Sequence, residues 1–217
     1  MEKAKKTELT QEKIFAAALK EFGTEGYKGS SLNNICKQNK ISKGLIYHNF
    51  KNKDEIYLLC VEYSINYFIA YFKNKYKHDG IKSYLSLRNE FFAKNPILGH
   101  IFFEAVLQPP KHLSWDIKLL TAPLSEYVTE VYMTAVKNMK LREGISTDDA
   151  MAYCKIINEV FNGYYNTEAF EGATLSKVIS DYEEGMEKIL DMLFYGIAEK
   201  GAETEEEAQE EEPVPTA

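Results

Sequence analysis

The sequence predicts an all-α protein of about nine helices, a small N-terminal three-helix unit followed by a larger helical body. Apolar residues recur at i, i+3, i+4 and i+7 along most of the chain, and hardly any stretch alternates with the period of a strand. Prolines and glycines punctuate the periodic stretches, and Ser, Thr or Asn often stands where a helix would begin.

Thr10 can cap a first helix whose core stripe is Ile14, Ala18 and Phe22, ending at Gly23 or Gly26. Ser31 is a good cap for residues 32–38 and Ser42 for residues 43–48, with Leu32, Ile35, Ile41, Leu45 and Phe50 as their shared core. Asn52 opens a long helix to about Lys77, with Glu55 placed as a capping-box carboxylate. Further helices are expected at 81–93, 96–107 and 114–141, with Pro96 in a first turn, Pro109-Pro110 in a loop and Pro123 starting or kinking a helix. The last two, roughly 147–170 and 174–198, are capped by Thr147 and Thr174. The expected division is 8–53 for the small unit, 54–199 for the body, and 200–217 for a tail. That tail is too rich in Glu, with Pro213 and Pro215, to bury apolar surface.

With 217 residues and 45% of them apolar, the chain is not disordered throughout. No run reaches the roughly 18 to 20 apolar residues needed to span a bilayer, and the polar, basic start carries no leader pattern, so a soluble cytoplasmic protein is expected. Cys36, Cys60 and Cys154 are odd in number and widely spaced, which argues for buried thiols rather than disulfides or a zinc site. No metal site, cofactor or catalytic residue is expected. There is no nucleophile with a base at usable spacing, no phosphate-cradling glycine loop and no paired Glu-x-x-His motif.

The net charge of −7 conceals an asymmetry. Residues 1–60 hold 11 Lys against 7 acids, whereas residues 199–217 hold 1 Lys against 8 acids. The basic end contains the informative stretch, Ser31 to Lys53, SLNNICKQNKISKGLIYHNFKNK. Two short capped helices joined by a tight turn and followed by another helix make a helix-turn-helix pattern. The outward face of the second short helix is Lys43, Gly44, Tyr47, His48 and Asn49, groups suited to a nucleic-acid surface. Gly44 costs about 1 kcal/mol of helix stability relative to Ala, and close approach of backbone to DNA is one reason to keep it.

The run from Ser42 to Glu55, together with the Phe22-Gly23-x-x-Gly26-Tyr27 turn and Ser31, resembles the DNA-binding region of TetR-family regulators over about residues 8–60. The resemblance implies three N-terminal DNA-binding helices and six more forming a ligand-binding and dimerisation domain. It places Lys43, Gly44 and Leu45 at base edges of the major groove, and His48 and Asn49 near bases or phosphates. Tyr47 and Lys53 would grip the backbone, with Lys28, Ser31 and Asn33 adding contacts. One departure stands out: the family commonly has Gly just before the position of Ile41, and this chain has Asn39-Lys40. Either the turn shifts by one residue or Lys40 adopts a strained left-handed conformation.

For the body, the resemblance implies a pocket among the middle helices, with Phe68, Phe102, Phe103, Trp115, Tyr127 and Phe161 as candidate lining. Few charged residues besides Arg88, Glu104, His100 and His112 could clamp a ligand, so an apolar or aromatic effector is expected. The surplus of apolar residues in the last two helices points to a homodimer through Ile156, Val160, Tyr164, Ile189 and Leu193. The reading is a ligand-responsive repressor released from a palindromic operator. The alternatives are a helical ligand-binding or interaction protein without specific DNA binding and, less supported, a helical-bundle enzyme.

Overall fold

A computed structural model describes residues 2–77, 80–167, 170 and 173–197, without the side chains of residues 2–8, Tyr195 and Ile197. The expected tail at 200–217 lies outside the described residues. The described residues form nine α-helices and one 3₁₀ turn: α1 (Glu2–Gly29), α2 (Leu32–Asn39), α3 (Lys43–Asn49), α4 (Lys53–Lys75), α5 (Ile81–Lys94), α6 (Pro96–Leu107), the turn Lys111–Leu113, α7 (Ser114–Lys137), α8 (Thr147–Tyr164) and α9 (Leu175–Ile197). None of the described helices is long and apolar enough to cross a membrane.

The caps explain most of the boundaries. The side chains of Ser31, Ser42 and Asn52 accept from the backbone N–H groups of Asn34, Leu45 and Glu55. Glu55 reaches the Lys51 N–H at 2.5 Å, one residue before the expected position of a capping-box carboxylate. Four ends differ from expectation. α1 runs back past Thr10 to Glu2, because Glu, Lys and Ala upstream are good helix formers. α7 stops at Lys137 rather than near 141, and Met139 and Leu141 pack against the core from the loop that follows. α8 is capped by Ser146, with Asp149 completing the capping box, rather than by Thr147. It ends at Tyr164, not near 170, where the Thr167 hydroxyl bonds the Tyr164 carbonyl and competes with the helix ladder. Pro123 lies inside α7 rather than at its start.

The core is continuous from the small unit into the body. Ile14, Phe22, Ile35, Ile46 and Tyr57 are fully buried where α1 to α4 meet. Further along α4, the Phe68 ring packs against Phe72, Phe91, Phe92 and Phe102 at centroid distances of 4.4 to 5.6 Å. Cys36, Cys60 and Cys154 are free and buried.

The broadest helix contact is α1 on α6. It depends on Gly23, where an added Cβ would lie 2.4 Å from Ile97 Cγ2 and 2.7 Å from the Ile97 carbonyl oxygen. Because one of those neighbours is backbone, Gly23→Ala must push the two helices apart. A loss of about 1 to 3 kcal/mol in unfolding free energy is expected from such overpacking, measured by urea titration followed by circular dichroism.

Candidate nucleic-acid interface, interdomain joint and ligand cavity

The turn between α2 and α3 resolves the departure noted at Asn39-Lys40. Lys40 is left-handed at φ 54°, ψ 39°, and its N–H bonds the Cys36 carbonyl, as does that of Ile41 at 3.0 Å. The turn therefore keeps its register and Lys40 carries the strain, while the Asn39 amide closes onto the Ile35 carbonyl.

From that turn α3 projects with Ile46 and Phe50 buried beneath it. Lys43, Gly44, Leu45, Tyr47 and His48 are all exposed, Tyr47 at 60%. A Cβ added to Gly44 would meet nothing within 4 Å, so no intramolecular packing requires glycine there. Lys28 and Asn33 are also exposed. Three expected DNA contacts have partners inside the protein. The Asn49 amide donates to the Leu45 carbonyl at 2.7 Å. Ser31 spends its hydroxyl oxygen on the α2 cap, and its N–H donates to Glu21.

Lys53 departs furthest from its expected role as a phosphate grip. Its ammonium donates to the carbonyls of Tyr27 at 2.6 Å and Ser30 at 3.0 Å, and it sits 3.9 Å from the centre of the Tyr27 ring. Burial lowers its pKa, against the pull of Asp54 and Glu104. Lys53 thus ties the end of α1 to the start of α4.

The same corner joins α1 to α4 and α6. α1 breaks at Gly26, whose φ of 67° and ψ of 176° turn the next N–H outward. The Tyr27 N–H meets the Glu104 carboxylate of α6 at 2.9 and 3.0 Å, and the Tyr57 hydroxyl donates to the same carboxylate at 2.8 Å. Burial raises the Glu104 pKa, and these two donors oppose the rise. The Tyr27 hydroxyl donates a short hydrogen bond to Asp54 and lies 3.2 Å from His112 Nε2. Glu104 and His112, considered above as ligand clamps, therefore join the two parts of the chain. The signal was out of reach in the sequence, since Tyr27 and Glu104 lie 77 residues apart.

On its other side α6 lines a cavity of about 480 Å³, open to solvent on one side and lined also by α4, α5, α7, α8 and α9. At 3.6 residues per turn, the lining residues Phe102, Ala105 and Val106 share one side of α6 and Glu104 falls roughly opposite. Of the candidate pocket residues, Phe68 and Phe102 line the cavity. Phe103 is buried beside Phe92, Phe161 beside Tyr165 and Tyr182, and Tyr127 beside Phe72, all three outside the lining. Trp115 is 69% exposed on the first turn of α7, pointing away from the space that its neighbour Ser114 lines.

Polar side chains contribute more of the wall than expected. Arg88 is buried in it, with Nη1 donating to Glu183 at 2.5 and 2.6 Å. Burial would lower the Arg88 pKa, but the Glu183 carboxylate outweighs it and the net shift is upward. Asn158 and Asn162 of α8 and Asn166 in the turn after it also line the cavity, and the four-residue spacing of the three in sequence was the signal available for them.

Along the outer side of α8, Ile156 (57% exposed), Val160 (65%) and Tyr164 (55%) form an uncovered apolar stripe. On α9 Ile189 is half-buried and Leu193 is 2% exposed, so Leu193 belongs to the core rather than to a surface. The exposed residue there is its neighbour Met192. A helix buried on a wide face leaves its inner and outer apolar residues adjacent in sequence.

Residues 14–60 match the family described as bacterial regulatory proteins, tetR family. Over 79 residues the chain is 35% identical to IcaR of Staphylococcus epidermidis, a negative transcriptional regulator of the biofilm operon icaADBC. That match covers 35% of this chain and 43% of IcaR, so it spans less than half the length of that regulator. Similarity to LmrA, a helix-turn-helix transcriptional regulator of Bacillus subtilis, is 28% over 167 residues, 71% of this chain and 83% of LmrA. The crystal structure of Bacillus subtilis FadR in complex with stearoyl-CoA shares the fold at a TM-score of 0.56 and 18% identity, over 86% of this chain and 99% of FadR. The helix-turn-helix within residues 14–60 is thus similar to that of the tetR family of bacterial regulatory proteins, and the described helices share the fold of FadR.

Proposed function

We propose that the protein is a dimeric cytoplasmic repressor that reads a palindromic DNA operator through α3 and is released by a small effector, apolar or aromatic in its bulk, bound in the cavity. The carrying observation is the surface of α3. Among the described residues, no ion pair or side-chain hydrogen bond occupies Lys43, Tyr47 or His48, although these groups stand on a helix held firmly from below. Lys43 can donate to guanine O6 or N7, Leu45 can touch a thymine methyl, and Tyr47 can reach a phosphate. In this proposal residues 8–53 are the reading unit and 54–199 the effector and dimerisation body.

One seven-residue helix yields little specificity, so two copies must be held at a fixed separation. The stripe of Ile156, Val160 and Tyr164, with Met192, supports α8 and α9 as the dimer face. The bond from Glu104 to Tyr27 supports α6 as the route from cavity to DNA, because moving the wall of the cavity moves the anchor of α1. FadR, a protein of the same fold, was crystallised with stearoyl-CoA, which supports a ligand-responsive body here.

Fluorescence anisotropy with DNA selected from a random pool tests the first element. The selected sites should have two-fold symmetry, and Lys43→Ala and Tyr47→Ala should each weaken binding about tenfold or more. Binding that ignores both substitutions and vanishes with modest salt would overturn the repressor reading. For the dimer, Val160→Asp should shift sedimentation from dimer to monomer at micromolar concentration. A wild-type monomer would remove that element. For the joint, Glu104→Ala leaves the Tyr27 N–H and the Tyr57 hydroxyl without their partner. It should cost about 1 to 3 kcal/mol of unfolding free energy by urea titration, and effector should then release DNA poorly.

A further inference from the structure

We infer that the effector is an uncharged molecule carrying hydrogen-bond-accepting oxygens, such as ester, ketone or amide carbonyls, along one edge of its apolar body, and that the amide NH₂ groups of Asn158 and Asn162 receive them. The inference rests on the reading of the α6-lined cavity as the effector site.

The first support is how the two amides are oriented. The Tyr182 hydroxyl donates to Asn162 Oδ1 at 2.8 Å, and the Tyr132 hydroxyl to Asn158 Oδ1 at 3.3 Å. Burial raises the pKa of both tyrosines, so each hydroxyl keeps the proton it donates. With each hydroxyl donating to an amide oxygen, each NH₂ is turned away from its tyrosine. Among the described residues no protein acceptor takes either NH₂, and neither nitrogen is sealed away from solvent. Both residues line the cavity, so the spare donors serve whatever occupies it. They lie four residues apart on α8, about 6 Å along the helix axis.

The second support is the charge around them. The lining includes three charged side chains, Arg88, Lys118 and Glu159. Arg88 is neutralised by Glu183 in a bond to both carboxylate oxygens. Lys118 and Glu159 are exposed and of opposite sign. A charged group on the ligand would give up water and could meet an uncommitted partner only at these exposed, solvent-screened side chains, whereas the buried Arg88 is already neutralised. The remaining wall, including Phe102, Val106, Ile117, Leu124 and Met186, takes hydrocarbon. A pure hydrocarbon of the right shape would bury the two NH₂ groups unpaired, which selects against it.

The test uses Nile red, a neutral dye with carbonyl acceptors, displaced by methyl octanoate, octanoate or nonane, three probes of one length that differ in polar group. Methyl octanoate should displace the dye at least tenfold more effectively than either of the others. Asn158→Asp combined with Asn162→Asp keeps the oxygen that each tyrosine needs and removes both donors. This variant should lose at least tenfold in displacement by methyl octanoate and gain displacement by octylammonium, an exchange of preference that mere loosening of the cavity would not produce. If octanoate or nonane matches the ester, if none of the three displaces bound dye, or if the double variant leaves the order unchanged, the inference is overturned. Leu124→Trp, which fills the cavity, separates this outcome from failure of the cavity reading. Dye binding that ignores Leu124→Trp, or no dye binding at all, would show that the cavity is not the ligand site, and the inference would fall with it.

Discussion

The Glu104 carboxylate under the break in α1 is the constraint on which the arrangement of the chain depends. A carboxylate taken out of water is expensive unless donors surround it, and here the donors are one backbone N–H and one tyrosine hydroxyl contributed by other helices. The backbone donor is available only because Gly26 takes a conformation in which other residues are strained. Lys53 holds the same segment from the opposite side through the Tyr27 and Ser30 carbonyls, and Asp54 holds the Tyr27 ring by its hydroxyl. Three helices thus meet at a point where a small displacement leaves a buried charge short of donors. Such a joint favours one arrangement sharply over intermediate ones, as a switching element requires.

The reading unit shows a complementary economy. Helices of seven and eight residues do not persist alone in water, so α2 and α3 depend on their serine caps and on the buried Ile35, Ile46 and Phe50. Because stability comes from the inner face and the ends, the outer face of α3 is left open to Lys43, Gly44, Tyr47 and His48, which contribute nothing to packing. The strained Lys40 belongs to the same arrangement: its backbone closes the turn that sets the angle between the two helices.

Local features were legible in the sequence, and features made by distant partners were not. The caps at Ser31, Ser42 and Asn52 and the bounds of α6 follow from residues within four positions of one another, whereas the register of the turn at Lys40 was left open between two readings. The partners of Lys53 were not legible, because the Tyr27 and Ser30 carbonyls that its ammonium meets come from 26 and 23 residues away in sequence. Leu193 and Met192 were exchanged because helical periodicity shows that a face is apolar but not where the monomer core ends and an outer surface begins. Aromatic residues drew attention to Trp115, Tyr127 and Phe161, whereas the cavity wall uses asparagines whose significance depends on the tyrosines opposite.

The position of α6 also limits what an effector must be. With cavity residues on one side and Glu104 on the other, the helix acts as a wall between ligand and joint, pressed close to α1 at Gly23. A molecule that fits the existing 480 Å³ without displacing this wall favours the arrangement in which the wall already stands, and so does not drive the change. In the proposed mechanism, release from DNA would therefore need a ligand that strains the wall, either by exceeding the cavity toward α6 or by drawing α8 inward through its amides. In the second case the polar edge does more than confer selectivity: hydrogen bonds made only when the amides move inward are a source of the differential affinity that coupling needs. Affinity for the cavity and potency as an effector are then separate properties, and the more potent of two equal binders is the one that leaves less room for α6.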